Sequence, residues 1–229
     1  MLECKGINTF YGPAHILFDL SIQVSEGQMV CLLGRNGVGK STTLKSIMGL
    51  APVASGSINF DGVDITGWPA FKIARSGLGY VPEERRIFAE LSVEDNLEVA
   101  ERGGSPWSRQ AVYDLFPPLL EFRHRNGGHL SGGQQQMLTI ARTLVGNPRL
   151  LLIDEPTEGL SPIVVRSLED MIRDLKAKGQ TMLLAAQDVK FSLSVADYIY
   201  VMDRGRIVYE AERSKAQEQA AEIRRLMSV

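Results

Sequence analysis

The chain has 229 residues, and its 25 basic and 27 acidic residues give a net charge of −2. A hydrophobic fraction of 44% over this length is enough for one well-packed domain, with or without a subdomain. Nucleic-acid binding depends on clustered Lys and Arg, and no such run with interleaved aromatic residues occurs, so the composition argues against a dedicated nucleic-acid binder.

The N-terminal part of the chain predicts mainly strands. The stretch ILFDLSIQV alternates apolar and polar residues, a turn follows at Ser25–Gly27, and Met29–Leu33 is a continuous apolar run typical of a buried strand. A helix is expected from Gly39 to about Leu50. The stretch SGSINFDGVDITG then predicts a strand and a hairpin, because glycine and aspartate punctuate it.

Helical patterns dominate from about residue 88 to 130, where Ser92 and Asp95 have the spacing of a capping box. Beyond Ser131, helices alternate with the apolar strands RLLLID and TMLLAA, and YIYVMDRGRIVYE predicts a hairpin. Strands that alternate with helices form a parallel sheet covered by helices, so the predicted fold class is α/β. The charged segment RSKAQEQAAEIRR predicts a solvated helix face near the C-terminus.

Cysteine, histidine and hydropathy patterns exclude further classes of protein. Cys4 and Cys31 lie in short apolar runs typical of buried, inert thiols, and nothing requires an oxidising compartment. His15, His124 and His129 lack the spacing of zinc ligands. No apolar run approaches the roughly 20 residues that cross a bilayer, and no signal-peptide pattern opens the chain. We therefore expect a cytosolic protein that reaches a membrane only through another chain.

The segment GRNGVGKST matches the phosphate-binding pattern G-x-x-x-x-G-K-[ST]. Its glycines let backbone N–H groups curl around phosphate oxygens, and the following helix directs its positive end at them. Lys40 can reach the β- and γ-phosphates, and the Ser41 hydroxyl can ligate Mg²⁺. A buried strand before the motif and a helix after it provide the context that the motif requires. The predicted nucleotide-binding residues are Gly34, Arg35, Asn36, Gly37, Val38, Gly39, Lys40, Ser41 and Thr42.

Two carboxylates, Asp154 and Glu155, stand at the end of the apolar run LLLID. Phosphoryl transfer needs one carboxylate that holds Mg²⁺ or its waters and a group that orients the attacking water. We assign the first role to Asp154 and the second to Glu155. Taken alone, such a pair is more often a helix N-cap or a solvated turn, and the phosphate loop is what favours a catalytic role.

A second glycine-rich segment, NGGHLSGGQQQM, also favours contact with an anion. Ser131 supplies a hydroxyl, and Gly132 and Gly133 permit close approach of the backbone at the start of a helix. The alternative is an ordinary helix N-cap with a flexible entry loop, and the segment by itself does not decide between the two.

The ordered set GRNGVGKST, VPEERRIF, LSGGQ, LLLIDEP, TEGLS and AAQD covers nearly the whole chain and resembles the nucleotide-binding subunit of an ABC transporter. The resemblance implies a P-loop NTPase core with a mixed sheet, an antiparallel β subdomain at the N-terminal side and an inserted α-helical subdomain. It implies one ATPase domain over residues 1–229, with a RecA-like core at about 1–87 and 131–229 and a helical subdomain at about 88–130.

The same resemblance implies how the two glycine-rich segments work together. Two subunits would pair head to tail, with ATP and Mg²⁺ as cofactors, so that one subunit's LSGGQ segment faces the γ-phosphate held by the other. Tyr11 matches the aromatic residue that stacks on adenine, although a tyrosine packed on the core is the alternative. The residues implied to face the partner's phosphate are Ser131, Gly132, Gly133 and Gln134.

Three positions depart from the family's usual residues. Glu83 replaces a glutamine that meets Mg²⁺ and touches the permease, and its carboxylate can also bind Mg²⁺ but adds negative charge near the γ-phosphate. Gln187 replaces a histidine, and its amide can still donate a hydrogen bond to the γ-phosphate but cannot become a cation. Ser161 replaces a common aspartate, which weakens any claim about its contacts across the dimer.

These departures occur together in sequences that resemble the smaller ATPase of branched-chain amino acid importers, with urea and amide importers as close relatives. We therefore predict that the site is catalytically active despite these departures. The predicted catalytic residues are Glu155, Gln187 and Glu83, and the predicted metal ligands are Ser41, Asp154 and Glu83.

The resemblance also implies partners. These are integral-membrane permease subunits contacted near Glu83–Phe88 and the helical block, a second ATPase of the same or different sequence, and indirectly a periplasmic substrate-binding protein. The chain would then lie on the cytoplasmic face of the cell membrane.

Other classes of protein remain as alternatives. ABC ATPases of chromosome maintenance carry a long coiled coil between the phosphate loop and LSGGQ, but the stretch from Lys40 to Ser131 has no sustained heptad pattern. Translation-linked relatives carry two such domains in one chain, whereas this sequence has one. An ATPase of lipopolysaccharide export has a similar layout. A non-catalytic regulatory subunit is the third alternative, motivated by Glu83 and Gln187.

Overall fold

A computed structural model describes residues 1–103 and 106–227 of the chain. The strands are β1 (Leu2–Tyr11), β2 (Ala14–Val24), β3 (Met29–Leu33), β4 (Val53–Phe60), β5 (Val63–Asp64), β6 (Leu78–Val81), β7 (Leu150–Asp154), β8 (Thr181–Ala186), β9 (Tyr198–Asp203) and β10 (Arg206–Glu212). The helices are α1 (Lys40–Ile47), α2 (Ala70–Arg75), α3 (Val93–Glu98), α4 (Arg109–Leu115), α5 (Pro117–Glu121), α6 (Gly132–Val145), α7 (Pro162–Ala177), α8 (Val189–Val195), α9 (Arg213–Glu218) and α10 (Ala220–Leu226), with a 3₁₀ helix at Gly127–His129.

The larger sheet has six strands in the order β10-β9-β3-β8-β7-β6. Neighbouring strands from β9 to β6 run parallel, and β10 pairs antiparallel with β9 at one edge. Every residue of β3, β7 and β8 is buried, because the sheet separates two hydrophobic cores. Cys31 and its alternate neighbours in β3 belong to one core, while Val30 and Leu32 belong to the other. The predicted α/β class with a mixed sheet is confirmed.

The smaller sheet is antiparallel and has four strands in the order β2-β1-β4-β5. Asp61 at φ 51° and Gly62 at φ 81° form the tight turn that joins β4 to β5. Cys4 lies in this layer and Cys31 in the larger sheet, both buried, and burial raises the pKa of each thiol to about 12. The predicted antiparallel subdomain at the N-terminal side is therefore present, and both thiols are buried as expected.

Between β6 and α6, the described part of the chain contains helices, loops and one isolated β-bridge, between Ser92 and Asn126, but no further strand. The predicted capping box at the start of α3 is present: the Ser92 hydroxyl accepts a hydrogen bond from the Asp95 N–H at 3.0 Å, and the Asp95 carboxylate accepts one from the Ser92 N–H at 3.2 Å. Buried Asn96 ties this helix to the preceding loop through both backbone groups of Phe88. The division of the chain at about residues 88 and 130 stays a prediction.

Two predicted helices differ from the structure. Helix α1 ends at Ile47 rather than near Leu50, because Gly49 adopts φ 66° and the Leu50 N–H bonds back to the Lys45 carbonyl at 2.8 Å. The C-terminal segment is not one solvated helix face. It forms α9 and α10, which bury Ala216 and Ile223 in the core.

Strand β6 was not predicted from the sequence. It is only four residues long, follows Gly77 and contains a second glycine, Gly79, so its β-propensity is weak. Among the described residues, no helix has the length and apolar character needed to cross a membrane.

Candidate nucleotide site

The predicted phosphate cradle is the loop between β3 and α1. Gly37 at φ 81° and Gly39 at φ 113° adopt backbone conformations that favour glycine. A Cβ on Gly39 would also lie 2.8 Å from the Met202 Cε and 3.0 Å from the Leu17 Cδ2, so these side chains would have to move to admit it. The loop borders a cavity of about 400 Å³, which is lined also by Glu83 and Glu155.

Lys40 is 4% exposed, and its ammonium group is held by three oxygens. It donates hydrogen bonds to the carbonyls of Gly34 at 2.7 Å and Arg35 at 2.8 Å, and it lies 2.9 Å from Oε1 of Glu155. This last contact is an ion pair between two buried side chains, and the described residues give Glu155 Oε1 no hydrogen bond beyond it. A carboxylate oxygen has more than one lone pair, so Oε1 can accept a hydrogen bond from a water molecule in the cavity while it stays paired with Lys40.

Glu155 lies immediately beyond β7 in an uncommon backbone conformation. Its φ is 44°, in the left-handed region, and its N–H donates to the Ala185 carbonyl of the neighbouring strand at 3.1 Å. Residues other than glycine keep such conformations mainly where the surroundings or a function require them. Burial raises the pKa of the Glu155 carboxyl, while Lys40 and Gln187 oppose that rise. A carboxylate so poised suits a proton acceptor.

Asp154 is the last residue of β7 and is 1% exposed. Its carboxylate accepts hydrogen bonds from the Ser41 hydroxyl at 2.9 Å and the Tyr80 hydroxyl at 3.1 Å. Burial raises the pKa of Asp154, and these two hydrogen bonds act in the opposite direction. The structure therefore brings two of the predicted Mg²⁺ ligands, Ser41 and Asp154, into direct contact.

The described residues contain no group of three His, Cys, Asp or Glu side chains arranged as a complete metal site. Mg²⁺ in nucleotide sites ordinarily takes only one or two carboxylates and completes its shell with phosphate oxygens and water. Glu83 follows β6 and lines the same cavity, and burial together with the charges of Asp154 and Glu158 raises its pKa. This set of oxygen ligands fits a cation that arrives with the nucleotide and offsets the repulsion between Glu83 and the neighbouring carboxylates.

Gln187 follows β8 and reaches the phosphate loop. Its amide nitrogen donates hydrogen bonds to Oδ1 of Asn36 at 2.7 Å and to Oε2 of Glu158 at 2.8 Å. The predicted catalytic residues Glu155, Gln187 and Glu83 thus surround the phosphate loop, at the carboxyl ends of adjacent parallel strands.

Two further parts of the predicted site are Tyr11 and the segment Ser131–Gln134. Within the part of the chain that the structure describes, neither of them lines this cavity. Tyr11 is 45% exposed at the end of β1. Ser131 caps α6 in a second capping box, accepting from the Gln134 N–H at 3.4 Å, while the Gln134 side chain accepts from the Ser131 N–H at 2.9 Å. Gly133 packs closely, since a Cβ there would lie 2.6 Å from Val164 Cγ1. The structure does not bring LSGGQ to its own chain's phosphate loop.

Tyr80 and Glu158 were not predicted from the sequence as residues of the site. The Tyr80 hydroxyl holds Asp154, and the Glu158 side chain receives Gln187. Tyr80 was open to prediction, because it is paired with Leu152 and parallel neighbours end at the same edge of a sheet. That signal required β6 to be identified first.

A family model described as ABC transporter matches residues 17–158 of the chain. This chain belongs to the ABC transporter family. The predicted identity as an ABC ATPase is confirmed: the chain is a nucleotide-binding subunit that couples ATP hydrolysis to transport.

Its relatives within the family are similar over almost their whole length. The high-affinity branched-chain amino acid transport ATP-binding protein BraG of Pseudomonas aeruginosa is 40% identical over 91% of each chain. The probable branched-chain amino acid transport ATP-binding protein LivF of Archaeoglobus fulgidus is 36% identical over 95% of this chain and 94% of its own. The lipopolysaccharide export system ATP-binding protein LptB of Escherichia coli is 34% identical over 90% and 88%.

A solved structure supports the same fold for this ABC ATPase. The crystal structure of a nucleotide-free ATP-binding cassette from an ABC transporter superposes with a TM-score of 0.84 at 26% identity, covering 99% of this chain and 98% of that one. The predicted P-loop NTPase fold is therefore confirmed.

Proposed function

We propose that this chain is the ATP-hydrolysing subunit of an importer for branched-chain or related amino acids. The observation that carries the catalytic part is the buried Lys40–Glu155 ion pair at the cavity beside the phosphate loop, where Oε1 accepts no further hydrogen bond from the described residues. The 40% identity to BraG, against 34% to LptB of Escherichia coli and 36% to LptB of Acidithiobacillus ferridurans, supports amino-acid import over lipopolysaccharide export.

The phosphate loop binds the nucleotide and Lys40 exchanges partners. Its ammonium leaves the carbonyls of Gly34 and Arg35 for the β- and γ-phosphates, while Ser41 and Asp154 hold Mg²⁺, with Glu83 as a further ligand. When bound, Mg²⁺ neutralises negative charge that develops on the phosphates. Tyr11 offers its exposed ring to the adenine.

Glu155 orients a water molecule and accepts its proton, because Oε1 has a free acceptor site and burial raises the carboxyl's pKa. Gln187 donates a hydrogen bond to the γ-phosphate. As a neutral amide it stabilises charge less than a histidinium would, so Glu155 supplies most of the activation.

Two subunits pair head to tail, and Ser131–Gln134 of each faces the γ-phosphate held by the other. Closing and opening of this dimer moves the permease, since ATP binds the closed form better. A groove of about 570 Å³ beside β6 offers the permease a docking place. Val99, which is 65% exposed, lines the groove, and Phe88 is 48% exposed at the end of the Glu83–Phe88 segment. The permease thereby holds the chain at the cytoplasmic face of the membrane, and a periplasmic binding protein selects the cargo.

The experiment that tests the catalytic part is Glu155→Gln. Loss of a general base typically lowers turnover roughly 10²–10⁴-fold, whereas the amide preserves size and leaves ATP binding intact. Light scattering with and without Mg·ATP should show a monomer that becomes a dimer only with ATP. If it stays monomeric with ATP demonstrably bound, self-pairing is wrong and a different ATPase is the partner. Wild-type protein that binds ATP but never hydrolyses it with its permease would support the regulatory alternative instead.

The cargo is tested separately, in cells that depend on this chain. Uptake of labelled leucine should fail with Glu155→Gln and recover with the wild type, while the amount of lipopolysaccharide at the cell surface stays constant. The opposite result would favour the export alternative, and loss of urea or amide uptake alone would assign the related importers.

A further inference from the structure

Three loops from distant parts of the chain meet beside the phosphate cradle. The Gln187 amide donates one hydrogen to Asn36 in the phosphate loop and the other to the Glu158 carboxylate. Glu158 belongs to the segment that follows Glu155, and its N–H bonds to the Glu155 carbonyl at 3.3 Å. The amide therefore ties the nucleotide cradle to the segment that begins with the water-orienting carboxylate.

Arg85 extends these contacts to the LSGGQ segment. Its Nη2 donates to the Glu158 carbonyl at 2.9 Å. Its Nη1 lies so close to Gly132 that a Cβ at that glycine would be 2.6 Å away. Arg85 adopts φ 49°, a left-handed conformation that costs energy for a residue other than glycine. Glu158 is thus held from both sides, by Gln187 on its carboxylate and by Arg85 on its carbonyl.

The charge of Arg85 also bears on α6, which begins at Gly132. A helix N-terminus is already positive, so a guanidinium beside it is electrostatically unfavourable in the isolated chain. The same charge becomes favourable when an anion lies at that helix end. The position of Arg85 therefore makes sense in terms of a phosphate held by a second subunit.

Gln187 can act as a switch because its –NH₂ group has only two hydrogens, and both are used. A hydrogen bond from this group to the γ-phosphate requires release of Asn36 or Glu158. Release or tightening of Glu158 shifts the carbonyl that holds Arg85, and with it the group that packs against Gly132. Nucleotide at one site thereby biases the LSGGQ segment of the same chain.

We propose that Arg85 is a positioning residue that couples the two nucleotide sites of the ATPase dimer, through the relay Asn36–Gln187–Glu158–Arg85–Gly132. Arg85 does not touch its own chain's nucleotide. It sets the position of Ser131–Gln134, which serve the nucleotide of the other subunit, so binding at one site changes the affinity of the other. The inference rests on the head-to-tail pairing of the proposed function.

Hydrogen–deuterium exchange tests the relay within a single subunit. The protein is kept at a concentration where light scattering shows no dimer. In the wild type, Mg·ATP should change exchange of the amides at Gly132–Gln135 by about fivefold or more, the lower end of typical allosteric couplings. Arg85→Ala should abolish that change and keep the protection of the phosphate loop. Arg213→Ala, which removes an exposed arginine at the start of α9, should behave like the wild type.

Pairing gives the second readout, in the Glu155→Gln background. Arg85→Ala should weaken ATP-dependent dimerisation about tenfold and leave the monomer's affinity for ATP unchanged. Arg85→Lys should retain part of the effect, because lysine keeps the charge but not the two-pronged contact. Glu158→Ala combined with Arg85→Ala should cost no more than the worse single variant, since both break one relay.

An exchange response at Gly132–Gln135 that survives Arg85→Ala would overturn the proposal, as would an equal loss of ATP affinity in the monomer. Melting temperatures of the variants exclude a general loss of folding, and Arg85→Lys provides the test if the alanine variant is unstable. If Glu155→Gln never dimerises but the exchange response depends on Arg85, the relay stands and only self-pairing fails.

Discussion

At the scale of single residues, the Lys40–Glu155 pair joins stability to chemistry. Both side chains are buried, and each compensates the charge of the other. The two charges proposed to act on the nucleotide are therefore also what makes the burial of each other tolerable to the fold.

Lys40→Ala should destabilise the chain in a pH-dependent way. Removing one partner of a buried ion pair typically costs about 3–5 kcal/mol. Burial already raises the pKa of Glu155 above its ordinary value of 4.5, and loss of Lys40 raises it further. The penalty for a carboxylate with a raised folded-state pKa is complete above that pKa and is relieved as the pH falls toward 4.5. The free energy lost, from urea unfolding, should be larger at about pH 8 than at about pH 5.

A surface lysine provides the control for this experiment. Lys5 lies 2.8 Å from Glu3, but its side chain is 66% exposed, and exposed pairs contribute about 0–1 kcal/mol. Lys5→Ala should therefore change stability little at either pH. An equal loss for Lys40→Ala at both pH values would mean that Glu155 is not left as an unpaired charge.

Sequence patterns located the residues whose chemistry is local and missed those that act through tertiary contacts. Lys40 and Ser41 follow from one motif, and Asp154 from the end of one strand. Tyr80 precedes VPEERRIF, and Arg85 lies within it but has no role of its own there. Their partners lie on other elements, at Asp154 for Tyr80 and at Glu158 for Arg85, and only the folded chain brings these together.

At the scale of elements, α3 and α6 begin with the same device. Ser92 and Ser131 each cap a helix in a capping box, but only the box at Ser131 belongs to the segment proposed to face a phosphate. A comparison of the two serines can therefore distinguish the structural role of a helix cap from a role in ATP hydrolysis.

Ser131→Ala and Ser92→Ala should each lower stability by about 1 kcal/mol, since each removes a capping hydrogen bond, and Ser92→Ala also removes the hydrogen bond that its hydroxyl donates to the Asp95 carboxylate at 2.6 Å. Only Ser131→Ala should also lower the rate of ATP hydrolysis, because its hydroxyl is lost from the partner's nucleotide. Urea unfolding and steady-state hydrolysis of both variants give the comparison. Equal turnover in the two variants would mean that Ser131 only caps the helix and has no role in ATP hydrolysis.

Long, strongly patterned elements were predictable, and short ones were not. The apolar runs of β3 and β7 are buried over their whole length, which makes their identity clear from sequence. By contrast, β6 is defined by its pairing with β7 rather than by its own composition. The two C-terminal helices bury a single prominent residue each, Ala216 and Ile223, too few to outweigh a charged sequence pattern.

At the scale of the whole molecule, the groove beside β6 is the surface proposed for the permease, and its lining differs from that of the nucleotide cavity. Val99→Lys should reduce sedimentation of the chain with membranes that contain its permease, because a charge enters an apolar contact. Lysine suits the C-terminal end of α3, where Val99 lies, so folding should be unaffected. Val208→Lys, on exposed β10, is the matched control. If both variants sediment like the wild type, the groove does not hold the permease.

The two cysteines give each core a chemical reporter of its own. Cys4 is sealed in the core that includes the antiparallel sheet and Cys31 in the core on the other face of the larger sheet, and the pKa of each thiol is about 12. Neither can be alkylated at neutral pH until its own layer opens. The labelling rates of Cys4 and Cys31 therefore time the opening of the two layers independently. If the two layers open together, both cysteines will be labelled at the same rate. If one layer opens before the other, the two labelling rates will differ.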